Sequence, residues 1–361
     1  MTLFFTLSGF VITYNYLDFG WDKTPFGSFG RFAWLRFSRL YPTLLVFVLL
    51  TINPLSLATL QQHPFDIWLA VHLLNVEAWA PIRFGGVLPI NGAFGVIWSV
   101  STEFMLYFMF ALTVILGHRF HRRGQATFLV ALVAAVGASL LALAFIPALR
   151  PQLYAHLWQP IEPLAADQWD NWFFYLSPYF RVTNFAFGAA AAWVVMHRHE
   201  LIAHHQIALS RFALGAALLL IGLHLFVTIG QLVPPMVSSY LPVTELVTAL
   251  LFAIIMLDGE SDTAINRALS SRALVALGTI SYSLYLFHQI LPHLGSYQPG
   301  GAFSWWTMPR FAVTFGLFLL LAVAFAYGAW HIIERPAQRY LRSLLPPRRG
   351  RAAAPVAVGA E

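Results

Sequence analysis

Residues 93–116 read AFGVIWSVSTEFMLYFMFALTVIL, and this stretch decides the fold. An α-helix rises about 1.5 Å per residue, so the stretch is long enough to cross the roughly 30 Å hydrocarbon core of a membrane. Its one charged residue, Glu103, falls near the middle. A charged side chain at that depth is costly and is a functional candidate by default. We therefore predict a transmembrane helix that carries a buried, functionally important carboxylate.

The whole chain has the composition of a membrane protein. Of its 361 residues, 59% are hydrophobic and only 10% are charged, and the mean hydropathy is +0.69. Soluble domains carry about a quarter of charged residues, so soluble enzyme folds are excluded. We predict an all-α fold, a polytopic transmembrane helix bundle, in one domain over residues 1–345. A disordered cytoplasmic tail is expected over residues 346–361.

Apolar runs predict nine membrane-spanning helices. The predicted spans are 2–17, 40–58, 93–116, 126–147, 173–196, 207–229, 241–257, 273–294 and 307–333. A weaker run, 65–80, carries Asp66, His72 and Glu77. Because three polar residues interrupt it, this run is better suited to an interfacial or re-entrant helix than to a full span.

The distribution of positive charge predicts the topology. Most of the 21 Lys and Arg residues lie in alternate loops, which places those loops and the C-terminus in the cytoplasm. We expect the membrane to be a bacterial inner membrane. Because they flank apolar runs, these cations also argue against a nucleic-acid partner, despite the net charge of +6. Nine spans that end inside must begin outside, so we expect a tenth helix upstream of Met1; the alternative is that 2–17 does not span.

The chain contains no Cys. This excludes disulfides, thiolate-bound metals and a cysteine-linked acyl intermediate. We expect neither a metal site nor a bound cofactor, and we look for the chemistry among the polar residues inside the predicted spans.

Glu103 has hydroxyl and aromatic neighbours in the stretch WSVSTEFMLY. Helical spacing places Trp98, Ser99 and Tyr107 near it. Two interpretations are open. The carboxylate either forms an ion pair with Arg181 that fixes helix packing, or orients and polarises a catalytic base.

Three other stretches have a packing interpretation and a functional one. In 281–288 (SYSLYLFH), Tyr285 and His288 share a face, which suits hydrogen bonding between helices or catalysis by His288. In 4–10 (FFTLSGF), the small pair Ser8 and Gly9 permits close approach of another helix. In 36–39 (RFSR), two guanidinium groups on one face serve either as a topology anchor or as a phosphate-binding pair.

Together these stretches resemble the acyltransferase 3 family of integral membrane acyltransferases. The resemblance rests on five stretches in the family's order over essentially the whole chain. They are 4–10, 36–39, the Ser101-Thr102-Glu103 helix, 281–288 and 333–336 (IERP). It implies transfer of an acyl group, often acetyl, from cytoplasmic acyl-CoA as co-substrate to a hydroxyl of a cell-surface carbohydrate or lipid-linked glycan.

The resemblance also implies roles for individual residues. Arg36 and Arg39 would bind the donor, and Glu103 would orient the catalytic base. The family's catalytic histidine lies on a first helix, which we expect upstream of Met1. The side chains expected to line the cavity are Ser8, Gly9, Ser101, Tyr107, Arg181, Tyr282 and Tyr285.

Two rival hypotheses remain open at this point. One is a transporter or flippase of lipid-linked glycans that uses Glu103, Arg181 and His288 as a polar pathway. The other is an inactive, truncated member of the family. Dependence of any product on acyl-CoA would separate the transferase from the transporter.

Overall fold

A computed structural model describes residues 1–21, 24–51, 65–81, 95–120, 134, 137–138, 168–169, 171–197, 206–230, 241–259, 263–288 and 308–346. Within these ranges the chain forms helices and turns without any strand, which confirms the predicted all-α class for this part. The helices are α1 (Thr2–Tyr16), α2 (Pro25–Thr51), α3 (Phe65–Leu74), α4 (Trp98–Phe120), α5 (Pro178–His197), α6 (Gln206–Gly230), α7 (Leu241–Met256), α8 (Ala264–Leu269), α9 (Arg272–Phe287), α10 (Met308–Ala329) and α11 (Arg335–Ser343). Two π-helical segments, Asn171–Leu176 and Trp330–Glu334, precede α5 and α11.

Three helical segments in the described ranges are long and apolar enough to cross a membrane. They are Pro25–Leu50, Trp98–Gly117 and Phe315–Ser343. Of the most apolar 18 residues in Trp98–Gly117, 56% are buried inside the protein, against 17% in Phe315–Ser343. Helix α4 is therefore central, and α10 is peripheral. The count of nine spans stays a prediction, since nearly all of 126–147 lies outside the described residues, as does the tail from residue 347.

The helix that carries the start of the predicted span 40–58 begins before residue 40. Helix α2 begins at Pro25, the first helical position, where the fixed φ of proline is favourable. The residues between the arginines are mostly apolar and aromatic, so the helix continues through them. Arg36 and Arg39 therefore lie on a helix and not in the loop before one.

Helices α1 and α5 cross at direct backbone contact. A Cβ atom added at Gly9 would collide with the carbonyl oxygen of Phe185, and one added at Gly188 would collide with the carbonyl oxygen of Thr6. Small residues allow membrane helices to approach this closely, and dispersion contacts then stabilise the pair. The crossing fixes the position of α1 against α5.

The segment after α3 is held against the first turn of α4. Helix α3 is followed by Asn75, whose φ of 56° lies in the left-handed region. Two hydrogen bonds, from Asn75 N to His72 O and from Val76 N to Val71 O, end the helix in the pattern of a Schellman motif. Ser101 then accepts a hydrogen bond from Ala78 N at 3.2 Å. The short helix predicted at 65–80 is thus α3 followed by a turn, and α4 holds this turn in place.

Candidate active site

A cavity of about 440 Å³ lies between α1, α2, α4 and α9. This volume is in the range typical of small-molecule sites. Five of the residues singled out from the sequence on α1, α2 and α4 line it, namely Ser8, Arg36, Arg39, Glu103 and Tyr107. Helix α9 adds Ser281, Tyr282 and Tyr285. Residues more than 270 positions apart in the chain therefore meet in one site.

Glu103 is the carboxylate of this cavity, and hydroxyl groups hold it. Ser8 Oγ donates to Glu103 Oε1 at 2.8 Å, and the Tyr107 hydroxyl donates to the same oxygen. In the described part of the chain, Oε2 has no hydrogen-bond partner. Glu103 is only 5% exposed. One carboxylate oxygen is thus fixed, and the other is available to a group that enters the cavity.

The two arginines of α2 are held differently. Arg36 is buried, and its Nη2 donates to the Tyr16 hydroxyl. Its guanidinium carbon lies 4.6 Å from the centre of the Tyr16 ring and 5.9 Å from that of Tyr107, within cation–π range. Arg39, one turn later, is exposed and lines the same cavity. The pair therefore consists of one preorganised guanidinium and one that is free to move.

Two tyrosines of α9 close the cavity opposite Glu103. The Tyr282 hydroxyl donates to Leu40 O at 2.8 Å, which ties α9 to α2. The Tyr285 hydroxyl accepts from Ser99 Oγ at 2.8 Å and donates to Val96 O at 2.9 Å, which ties α9 to the region where α4 begins. These bonds explain why both tyrosines line the cavity as the sequence led us to expect.

Two residues expected to line the cavity do not. Gly9 faces the backbone of α5, where it permits the helix crossing. Ser101 is fully buried, and it binds the turn after α3 through Ala78 N to its Oγ and through Trp79 Nε1 to its carbonyl oxygen. The reason is helical geometry, since Ser101 lies about 200° around α4 from Glu103.

Arg181 also lies outside this cavity, and the ion pair with Glu103 is contradicted. Arg181 Nη1 binds Glu245 Oε2 of α7 at 2.9 Å, and its Nε donates to Tyr175 O at 2.8 Å. The guanidinium is fully buried and lies 5.8 Å from the centre of the Phe5 ring. Arg181 thus joins α5, α7 and the π-helical segment, which is a structural arrangement.

His288 stays at the end of α9. Its Nδ1 lies 2.6 Å from Tyr285 O, and its ring lies 5.9 Å from the Tyr285 ring. It does not line the cavity. The structure therefore does not bring Glu103, Arg181 and His288 together into the polar pathway that a transporter would need.

Sequence reasoning missed two partners. Tyr16 binds Arg36, and Glu334 accepts a hydrogen bond from Ser283 Oγ at 2.6 Å. Neither has a spacing signal, because each contact joins different helices. No group of three metal-binding side chains occurs within the described ranges.

Comparisons with known proteins agree on one family. The acyltransferase domain model of the acyltransferase 3 family matches residues 1–329. A curated relative, "Acyltransferase MdmB" of Streptomyces mycarofaciens, is 29% identical over 354 residues, which cover 94% of this chain and 81% of the relative. No solved structure matches the chain significantly.

Proposed function

Because this chain belongs to the acyltransferase 3 family, a membrane-associated family, we propose that it moves an acyl group, acetyl in the simplest case, from acyl-CoA to a hydroxyl group. The donor would come from the cytoplasm, and the acceptor would be a cell-surface carbohydrate or a lipid-linked glycan on the outer side of the bacterial inner membrane. The C-terminus would then lie in the cytoplasm, as the arginines after α10 suggest. Acyl transfer itself follows from the family, whereas donor and acceptor are part of the proposal.

One observation carries the proposal. A single cavity contains a carboxylate with one unpartnered oxygen, Glu103, and the two guanidinium groups of Arg36 and Arg39. Guanidinium groups bind phosphate oxygens with two parallel hydrogen bonds, and CoA carries three phosphate groups. A carboxylate that accepts a hydrogen bond from an imidazole keeps it in the correct tautomer and stabilises its protonated form. The cavity thus holds the two kinds of group that an acyl-CoA-dependent O-acyltransferase needs.

The reaction we propose is direct transfer. A base, which the resemblance to the family implies is a histidine, takes the proton of the acceptor hydroxyl. The oxygen then attacks the thioester carbonyl, an ester C–O bond forms, the C–S bond breaks, and the CoA sulfur leaves with a proton. Glu103 Oε2 would accept the N–H of this base, so that the base points its other nitrogen at the acceptor. The absence of Cys leaves no thiol to form an acyl-enzyme.

The test is Glu103→Gln in the full-length natural chain, expressed in bacterial membranes. Radiolabelled acetyl-CoA is added, and the label in the glycolipid and polysaccharide fractions is measured. Replacing the orienting carboxylate of a serine-protease triad by its amide lowers kcat about 10⁴-fold, so we expect the rate to fall at least about 100-fold.

The matched control is Asp18→Asn, which removes an exposed carboxylate at the end of α1 and should leave the rate unchanged. Transfer at the wild-type rate by the Glu103→Gln protein would contradict the role of Glu103. A wild-type protein that labels neither fraction, although it is folded and in the membrane, would contradict the proposed donor or acceptor.

A further inference from the structure

The short helix α11 (Arg335–Ser343) is fastened to the first half of α2. Trp34 Nε1 donates to Leu341 O at 2.8 Å, and Arg31 Nη1 donates to Pro346 O at 2.8 Å. Both donors lie on α2 just before Arg36. The end of the described chain is therefore held next to the donor-side arginines of the cavity.

This attachment places a third arginine near the pair. Arg342 follows Leu341 directly, and its side chain is exposed. Its charge interacts with those of Arg36 and Arg39 and with the Tyr16 hydroxyl that Arg36 binds. Arg342 does not line the cavity itself, so it lies at the side of the site and not within it.

Three guanidinium groups of like charge repel one another, and a bound anion relieves this repulsion. In the described part of the chain, neither Arg39 nor Arg342 forms an ion pair. The carboxylates whose charges reach this group are Glu103 and Glu334, and hydroxyls of Ser8, Tyr107 and Ser283 hold these two. The protein thus gathers positive charge here without pairing all of it.

We propose that Arg342 is a third donor-binding arginine, which binds a phosphate group of acyl-CoA at the edge of the cavity while Arg36 and Arg39 bind phosphates further in. This inference rests on the proposed function. A donor with a diphosphate and a separate ribose phosphate matches a group of three arginines spread over two helices. Arg342 therefore acts on donor affinity and not on the chemical step.

The experiment measures CoA binding to the full-length protein in detergent by calorimetry. Arg342→Gln should weaken CoA binding about tenfold, which is about 1.4 kcal/mol, because it removes a hydrogen bond between two charged groups. Arg342→Lys keeps the charge but loses the planar fork, so its CoA affinity should lie between those of the wild type and Arg342→Gln. Arg339→Gln, an exposed arginine on the same helix, is the matched control and should bind like the wild type.

Acetyl-pantetheine, which carries no phosphate, distinguishes charge recognition from a general loss of structure. The Arg342→Gln protein should bind or turn over this donor as the wild type does, with an increase in KM confined to acyl-CoA. Equal CoA affinity in the Arg342→Gln and Arg339→Gln proteins would overturn the inference and leave the proposed function intact. Failure of the wild type to bind CoA would contradict the proposed function itself.

Anionic lipid headgroups offer the same phosphate chemistry. Sedimentation with vesicles that contain phosphatidylglycerol separates the two sources. If Arg342→Gln lowered binding of this lipid and left CoA affinity unchanged, Arg342 would be a lipid contact and the inference would be wrong.

Discussion

Two buried charges lie against α1, and the protein holds them in different ways. Arg181 is fully enclosed and has a charged partner, Glu245, and a backbone carbonyl. Glu103 has no cation within ion-pair distance in the described ranges; hydroxyls hold one of its oxygens, and the other faces a cavity. A buried charge that has an ionic partner on another helix joins the two helices, whereas a carboxylate oxygen without a partner beside open space can act on a ligand.

The largest expected effect concerns Arg181, the charge in this comparison that joins helices. Arg181→Gln leaves Glu245 without its cation, and breaking a buried ion pair costs about 3–5 kcal/mol. Since Glu245 is 20% exposed, the loss should fall at the lower end. We expect a marked drop in unfolding temperature in detergent, measured by a thermal-shift assay, whereas Glu103→Gln should change it little.

The double variant Arg181→Met with Glu245→Leu is the control for this prediction. Removal of both charges leaves no unpaired charge, so much of the stability should return. If Arg181→Gln retained the wild-type unfolding temperature but lost acyl transfer, Arg181 would belong to the site and the comparison would fail.

The next effect concerns the helix that both charges contact. A methyl group at Gly9 or Gly188 forces α1 and α5 apart, and overpacking of this kind costs about 1–3 kcal/mol. Gly9→Ala and Gly188→Ala should both lower the unfolding temperature. Gly215→Ala on α6, where an added Cβ meets nothing within 4 Å, is the control and should be neutral or stabilising. Equal stability of all three variants would show that α1 and α5 do not cross at this contact.

Another buried carboxylate sharpens the comparison, because Glu77 has neither a cation nor a hydroxyl group as a partner. Both of its carboxylate oxygens are buried without a hydrogen bond, and burial raises the pKa of Glu77 to about 8. Between the ordinary pKa of a Glu side chain and pH 8, the folded protein holds a proton that the unfolded chain releases. Stability should therefore fall as pH rises through this window, by at most about 1.4 kcal/mol per pH unit.

Glu77→Gln should remove this slope and raise stability at pH 7. The measurement is the unfolding temperature between pH 5 and pH 8 for the two proteins, with Asp18→Asn as the control for loss of an exposed carboxylate. Parallel pH profiles for the wild type and Glu77→Gln would contradict the raised pKa.

The sequence predicted much of the helical fold and part of the site. Runs of apolar residues defined α6 and α7 to within a residue or so, because hydropathy reports burial in lipid directly. They did not show where α2 begins, because an arginine-containing stretch continues a helix without resembling a membrane span. Ser8, Glu103 and Tyr107 were found because each is a polar group in an apolar run.

What the sequence did not supply is the direction of each side chain. Ser101 and Gly9 are polar or small in the same way as residues of the cavity, and only the rotation of their helices turns them away from it. The partner of Arg181 was also out of reach, since two carboxylates inside predicted spans were equally suitable on charge alone. Tertiary contacts between distant helices decide such cases.

The crossing of α1 and α5 has a mechanical consequence. Where two backbones touch with no side chain between them, no rotamer change can absorb a displacement, so the two helices form one stiff strut. Ser8 lies next to Gly9 on α1, so its hydrogen bond to Glu103 fixes this carboxylate relative to the stiff helix pair. Helices α2 and α9, by contrast, meet through the long Tyr282 side chain. We therefore expect the cavity to widen with the lowest free-energy cost on the side that carries the arginines, while the side that holds Glu103 keeps its shape.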